Sequence, residues 1–159
     1  TKTFTIRPET MASAVINGCK AKYSYTGKQV KPLIQVVWNG KVLKKNTDYT
    51  LLYKNNKNRG AAGIVVSGKG NYSGTLTASF TIVRASVKKA SVTGLKAVYA
   101  RTGKAIKPKV TVKLGGKKLK KKRDYILSYR KNKKKGTALL YVKGVGNYSG
   151  TKKMKFKIR

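Results

Sequence analysis

The chain has 159 residues and a formal net charge of +36, with 39 Lys or Arg against three acids, no His and one Cys. One cysteine excludes an internal disulfide and a cysteine-based metal site, and the lack of histidine and of a carboxylate pair argues against an enzyme. With 40% apolar residues the chain can form a core, and no apolar run reaches the roughly 20 residues that a membrane-spanning helix needs.

The chain contains an internal repeat. Residues 26–83 recur as residues 102–159 at a constant offset of 76 without a gap, and 29 of these 58 aligned pairs are identical. The same offset aligns Phe4-Thr5-Ile6 with Phe80-Thr81-Ile82. A period of this length predicts small domains in tandem. We therefore expect three parts of a longer array: residues 1–7 as the tail end of a preceding repeat, 8–83 as one β-repeat, and 84–159 as a second, more basic one.

Apolar and polar residues alternate along most of each repeat, which predicts half-buried strands in antiparallel sheets. In chain order, the inward positions of the first repeat, each with a counterpart 76 residues later, are Cys19, Ala21 and Tyr23; Ile34, Val36 and Trp38; Tyr49, Leu51 and Tyr53; Ala62, Ile64 and Val66; and Ala78, Phe80 and Ile82. No stretch has the period of an amphipathic helix.

Turn residues separate these strands. Asn39-Gly40, which aligns with Gly115-Gly116, is a two-residue hairpin signal. Gly60 and Gly136 open the fourth strand, and Gly-Asn-Tyr-Ser-Gly-Thr joins the last two. The sequence thus predicts an all-β fold of two tandem small antiparallel β-sandwich domains, immunoglobulin-like in build, each with about five to seven short strands.

The acids and the cysteine have structural interpretations. Asp48 and Asp124 are the acids present in both repeats, and we expect each carboxylate to accept backbone N–H bonds in a turn, with its pKa lowered by the surrounding lysines. Cys19 aligns with Leu95, so we expect a small buried hydrophobe rather than a nucleophile.

The ten tyrosines could form a stacking platform for nucleic acid, because such platforms combine aromatic rings with cations. Most of them lie on the apolar phase of their strands, which favours core packing with hydroxyls that reach the backbone. Tyr25 and Tyr141 are out of phase and could be exposed.

The basic residues are concentrated in the second repeat: residues 1–84 carry 14 and residues 85–159 carry 25. Lysines can simply solubilise a surface and protect strand edges, but a solubilising surface normally mixes both signs. The near-elimination of acids favours binding to a polyanion. The predicted polyanion-binding residues are Lys41, Lys44, Lys45, Lys117, Lys118, Lys120, Lys121, Lys122, Arg123, Arg130, Lys131, Lys133, Lys134, Lys135, Lys153, Lys155 and Lys157.

The frame Tyr-x-x-Thr-Gly-Lys, Asp-Tyr-x-Leu-x-Tyr and Gly-Asn-Tyr-Ser-Gly-Thr, closing on Phe-x-Ile, is present in both repeats. It resembles the tandem immunoglobulin-like β-repeats in large secreted or wall-attached proteins of gut Firmicutes. The resemblance implies an extracellular or cell-surface location in a bacterium. It does not account for the charge, because other such repeats need not be this basic.

These observations together predict a non-enzymatic adhesion module without cofactor or metal, monomeric as a fragment. The expected partners are anionic polymers or surfaces: mucin or sulfated host glycans, teichoic acid or lipopolysaccharide. Two alternatives stay open, a structural spacer or stalk within a large surface protein, and nucleic-acid binding by phosphate contacts without sequence preference.

Overall fold

The computed structural model describes residue 5 and residues 7–159. These residues form two compact units with the boundary between Val83 and Arg84. Within the described ranges there is no α-helix, only the single 3₁₀ turns Met11–Ser13 and Val87–Lys89. The all-β prediction is therefore confirmed, whereas independent folding of the two repeats stays a prediction. The tail predicted at residues 1–7 lies mostly outside the described residues.

The strands of the first unit are β1 (Glu9–Thr10), β2 (Val15–Asn17), β3 (Lys22–Ser24), β4 (Gln35–Trp38), β5 (Lys41–Val42), β6 (Tyr49–Lys54), β7 (Gly60–Gly68), β8 (Tyr72–Ser73) and β9 (Thr75–Val83). Those of the second unit are β10 (Ala85–Ser86), β11 (Ser91–Thr93), β12 (Val98–Tyr99), β13 (Thr111–Leu114), β14 (Lys117–Lys118), β15 (Tyr125–Arg130), β16 (Gly136–Gly144), β17 (Tyr148–Ser149) and β18 (Thr151–Ile158). Each unit exceeds the expected number of strands because several are two-residue pairings.

The longer strands of each unit form two sheets around one core. In the first unit β2, β4 and β5 form a three-stranded sheet, and β3, β9, β7 and β6 form a four-stranded one, in that spatial order. The second unit repeats the arrangement with β11-β13-β14 and β12-β18-β16-β15. Val36 from the smaller sheet and Ile64 and Phe80 from the larger sheet belong to one buried cluster. The two sheets therefore share a core, as in a β-sandwich.

The sheets are not wholly antiparallel, which corrects one part of the prediction. The β6-β7 and β7-β9 pairs are antiparallel, but edge strand β3 pairs with β9 in parallel, as β12 does with β18. The short pairs β1-β8 and β10-β17 are also parallel. The reason is the connection: β3 and β9 are separated in the chain by β4 to β8, and such a long connection permits a parallel pair that a tight hairpin does not.

The predicted turns are confirmed. Asn39 and Gly40 have φ of 44° and 75°, and Gly115 and Gly116 have 54° and 76°. Positive φ at both central residues is the type I′ geometry, whose twist matches that of the flanking strands. Because Asn and Gly tolerate this region best, the residue choice explains why the two-residue hairpin forms at both places.

The interior agrees with most of the alternation. Tyr49, Tyr72, Tyr125 and Tyr148 are buried. Hydroxyls of half-buried tyrosines reach the backbone as expected, and Tyr53 Oη donates to the Pro32 carbonyl at 2.9 Å. Two details differ from the prediction. Ala21 and Ala97, placed inward by the pattern, are exposed, because β3 and β12 begin only after them.

The two remaining expectations on single residues are met in part. Cys19 is half-buried against the first unit's core rather than fully buried, and burial raises the pKa of its thiol. Tyr25, expected to be exposed, is half-buried and packs against the same core. Neither residue therefore presents a reactive or stacking group at an open surface.

Candidate polyanion-binding surface

All 17 predicted polyanion-binding residues are exposed. In the second unit they occupy the outward face of β18, the end of β15 with the loop that follows it, and the segment 117–123. In the first unit Lys41, Lys44 and Lys45 form a thinner set near β5. The strand pairing determines which of these groups are neighbours.

A row of lysines runs along β18. Lys153, Lys155 and Lys157 are exposed and alternate with residues that point inward. Successive outward side chains on a strand leave the backbone about 6.7 Å apart. Because the strand is paired along its whole length with β16, the backbone positions of the three charges are held by the sheet.

Arg130 on β15 lies on the same face as this row. Arg130 pairs with Leu139 of β16, and Leu139 pairs with Lys155, so the two basic residues are two strands apart, roughly 10 Å. The guanidinium carbon of Arg130 lies 5.8 Å from the ring centroid of Tyr141, a cation–π contact. Lys153 lies opposite Tyr141 on the other side. Tyr141, which the alternation indicated could be exposed, is half-buried, and its ring is flanked by two cations on an outward sheet face.

The loop 131–135 continues this surface at the end of the sheet. Asn132 holds the loop, because its backbone carbonyl accepts the Ile106 N–H at 2.7 Å and its Nδ2 donates to the Ile106 carbonyl at 2.8 Å. The loop lines a cavity of about 520 Å³ together with Thr137, which lies opposite Lys157. The loop and the β18 row therefore adjoin. We call this combined surface the basic face, formed by Arg130, Lys131, Lys133, Lys134, Lys135, Lys153, Lys155 and Lys157.

The segment 117–123 forms a separate patch. It runs from β14, in the smaller sheet, to the start of β15 at Tyr125. Arg130 ends that six-residue strand, so the two patches are separated by the strand length, about 17 Å. We call Lys117, Lys118, Lys120, Lys121, Lys122 and Arg123 the hairpin patch. The predicted binding residues of the second unit therefore form two surfaces.

An acid organises the hairpin patch. Asp124 is 4% exposed, and its Oδ2 accepts the Lys120 backbone N–H at 2.8 Å, as expected for a turn-capping carboxylate. Arg123 donates to the same carboxylate from Nε and Nη2 at 2.8 and 2.7 Å. These hydrogen bonds, with the Arg123 hydrogen bond the largest cause, hold the pKa of Asp124 below its usual range. Arg123 thus has two of its donors already engaged, which reduces its capacity for an external anion.

The first unit contains the same turn without this ion pair. Asp48 Oδ2 accepts the Lys44 backbone N–H at 2.8 Å, but Thr47 stands where the second unit has Arg123. The capping role expected of both acids is therefore confirmed, and the guanidinium is an addition of the second repeat.

The sequence reasoning left Lys107, Lys109 and Lys143 out of the binding residues, and it singled out Tyr141 only as a side chain that could be exposed. Lys143 lies outward on β16 opposite Thr151, and Tyr141 lies on the same face of that strand. Lys107 and Lys109 are exposed beside Pro108, in the segment before β13. The alternation Lys107-Pro108-Lys109 with a buried proline could have indicated two outward lysines, whereas the position of Tyr141 depends on strand pairing.

The charge differences between the two repeats are strongly one-sided. Of the 29 aligned positions that differ, 13 have a neutral residue in the first repeat and Lys or Arg in the second, and one, Lys69 against Val145, is the reverse. Twelve of those 13 basic residues are exposed and the other, Lys152, is half-buried. Buried positions such as Val36 and Val112 are mostly identical. The two repeats thus share their core residues and differ mainly in the larger positive charge on the surface of the second.

No family model, curated protein or solved structure matches the chain. In the described part of the chain, no helix is long and apolar enough to cross a membrane. Among the same residues, no group of three or more His, Cys, Asp or Glu is placed to hold a metal ion.

Proposed function

We propose that the chain is a non-enzymatic attachment module that binds anionic polymers electrostatically, with the basic face of the second unit as the main contact. The observation that supports this proposal is the charge asymmetry between the repeats: at 13 positions the second repeat has Lys or Arg where the first is neutral, and at one position the reverse holds. A net charge of either sign would make the chain soluble. A mixture of positive and negative charges would also avoid the electrostatic self-repulsion that opposes folding. A bound polyanion offsets that repulsion, and this explains why nearly all of the charged residues are positive.

The chemistry of the contact favours charge density over stereospecific recognition. Of the 39 basic residues 32 are Lys, a hydrated point charge without the planar fork of Arg. Exposed charges are screened beyond about 8 Å in physiological salt, so several must contact the polymer at once. A row on a paired strand suits this requirement because the sheet holds the backbone positions and only side chains need ordering.

The polymer class is a repeating anion, and we place mucin or sulfated glycans, teichoic acid and lipopolysaccharide in it. We propose further that the units are immunoglobulin-like domains from an extracellular or cell-surface array in a bacterium. Residues 84–159 expressed alone should then give a dispersed amide NMR spectrum that overlays on the second-unit signals of the whole chain. A collapsed spectrum would contradict the domain proposal and leave the binding proposal intact.

The experiment that tests the function is a titration of the whole chain against heparin, sialylated mucin, lipoteichoic acid, lipopolysaccharide and duplex DNA, each from low to above physiological salt. The matched variant returns the β18 row to the residues of the first repeat: Lys153→Thr, Lys155→Ser and Lys157→Thr. Binding at physiological salt that the triple variant weakens supports the proposal. Absence of binding to every polymer at physiological salt would overturn it and favour the spacer alternative.

Nucleic-acid binding is the second candidate, and Tyr141 is the observation that favours it. An outward aromatic ring between Arg130 and Lys153 has the composition of a base-stacking platform. Such a platform predicts that single-stranded nucleic acid binds more tightly than a sulfated glycan of equal charge density. Equal binding of the two would favour the attachment module.

A further inference from the structure

The second unit has a cleft at the open side of its sandwich that the basic face does not include. It has a volume of about 810 Å³ and lies between the segments 107–110 and 118–121. The inward side chains of edge strand β15 complete it with Tyr125, Leu127 and Tyr129. This volume is within the range of small-molecule sites in proteins, about 300–1,000 Å³.

The floor of the cleft is apolar. Leu119 is buried, and Leu127 is half-buried between the two tyrosines of β15. Tyr129 Oη donates to the Pro108 carbonyl at 2.7 Å, so this hydroxyl is already used. A phenol is neutral at physiological pH, and burial raises the pKa of Tyr125 and Tyr129 further. The floor therefore offers hydrocarbon and ring surface to a ligand.

All charged residues on the rim of the cleft are lysines. Five exposed lysines line the cleft, and of the described lining residues none is acidic. Pro108 lies between Lys107 and Lys109, and Leu119 lies between Lys118 and Lys120. Charged and apolar residues therefore alternate in both segments that line the opening. The five are Lys107, Lys109, Lys118, Lys120 and Lys121.

The first repeat has a different rim at the equivalent positions. Leu33 and Val42 stand where the second repeat has Lys109 and Lys118, and they are 95% and 50% exposed. The inward residues at 49, 51 and 53 are the same types as those at 125, 127 and 129. The two repeats thus have the same floor residues, and the second has two more lysines on the rim.

We propose that this cleft binds one small amphipathic anion, with its apolar body on Leu127 and Tyr129 and its carboxylate, sulfate or phosphate group among the rim lysines. The argument is charge complementarity over an apolar floor: burial of the body provides affinity that a simple anion lacks, and the lysines select the sign of the head group. The site is separate from the basic face, the main polymer contact, and shares Lys118, Lys120 and Lys121 with the hairpin patch.

The test uses the whole chain and a series of straight-chain carboxylates: acetate, butanoate, hexanoate and octanoate, with hexylammonium as the cationic counterpart of hexanoate. Calorimetry should give saturable one-to-one binding that tightens about fourfold per buried methylene until the cleft is full. Amide shifts should concentrate at 107–110, 118–121 and 125–129, and hexylammonium should not bind. Affinity independent of chain length, or equal shifts at 31–34, 42–45 and 49–53, would overturn the proposal.

Two double variants separate a local effect from a general loss of charge. Lys109→Leu with Lys118→Val introduces the rim of the first repeat, and we expect at least a fivefold loss of octanoate affinity. Lys131→Asn with Lys134→Asn removes the same charge from the loop of the basic face, again with first-repeat residues, and should change octanoate affinity less than twofold. Equal losses of octanoate affinity in the two variants would mean that octanoate is attracted by net charge alone, which would overturn the proposal.

Discussion

Arg123 and Asp124 are adjacent in sequence and form a two-bond ion pair, with Nε–Oδ1 and Nη2–Oδ2 distances of 2.8 and 2.7 Å. The pair joins an exposed member of the hairpin patch to a nearly buried carboxylate, since their side chains are 58% and 6% exposed. In a chain with three acids, one acid is thus used to hold the turn from which the neighbouring lysines project. Because protonation of Asp124 breaks this pair, we expect the second unit to lose folding stability at acid pH.

Replacement of Asp124 by Asn should make the folding stability of the second unit depend less on pH in the acid range. Because the folded-state pKa of Asp124 is lowered, its contribution is present above the unfolded value near 3.8 and is lost as pH falls through the folded value. At neutral pH the variant should lose about 2 kcal/mol, the scale of a hydrogen bond to a charged group. Thermal melts from pH 6 to pH 2 measure both effects, and parallel curves for the two proteins would contradict the assignment.

The variant Lys153→Thr, Lys155→Ser, Lys157→Thr should weaken polymer binding without loss of stability. The replaced side chains are outward on β18, and Thr suits a strand well, so removal of like charges should leave Tm unchanged or raised. With duplex DNA as the probe, the slope of log K against log salt should fall by about two to three, close to one for each lost phosphate contact.

A control for the triple variant removes the same charge from the first unit: Lys20, Lys22 and Lys28, all exposed, changed to Ser. We expect a smaller loss of affinity than for the β18 variant. An equal loss would mean that net charge decides binding and that the position of the row does not.

The reverse transfer should confer binding on the first unit. Thr77, Ser79 and Thr81 are exposed on β9 at the positions of the β18 row, and changing all three to Lys recreates that row. We expect a second polymer contact, seen as increased stoichiometry on long heparin chains in calorimetry. Unchanged stoichiometry would indicate that the loop 131–135 is also needed.

Tyr141→Val distinguishes charge attachment from base stacking. The first repeat carries Val65 at this position, so the fold accommodates the change. The variant loses a cation–π contact worth about 0.5–1 kcal/mol at an exposed site. Attachment by charge predicts unchanged heparin affinity, whereas stacking of even one base predicts a loss of about 1–3 kcal/mol in binding to single-stranded DNA. Oligonucleotide and heparin titrations side by side decide between them.

Gly144→Ala should destabilise the second unit, because a Cβ there would lie 2.7 Å from the Ser149 backbone N and 2.9 Å from the Tyr148 carbonyl carbon. Both neighbours are backbone atoms and cannot turn away, so we expect a cost of about 2–3 kcal/mol in the free energy of unfolding. Gly63→Ala is the matched control, since its nearest contact would be 3.7 Å and the second repeat already has Leu139 there. Denaturant unfolding of the two variants measures the difference, and equal stabilities would contradict the steric argument.

Much of the fold follows from local features of the sequence. The period-two alternation placed Val36, Ile64 and Phe80 inward, and the Asn39-Gly40 pair predicted a hairpin, because side-chain phase and backbone φ preference depend on neighbouring residues only. Because each strand and turn occurs in both repeats, its assignment in one repeat could be checked against the other. Even the turn-capping role of Asp124 could be predicted from its place before a strand.

The arrangement of the surface is a matter of tertiary structure. Arg130 and Lys155 are 25 residues apart in the sequence and become neighbours on one face through Leu139. The parallel edge strands, the separation of the hairpin patch from the basic face, and the lysine-rimmed cleft likewise arise from which strands pair. Strand partners are chosen by long-range packing, and a local pattern specifies which face a residue occupies without specifying which strand lies beside it.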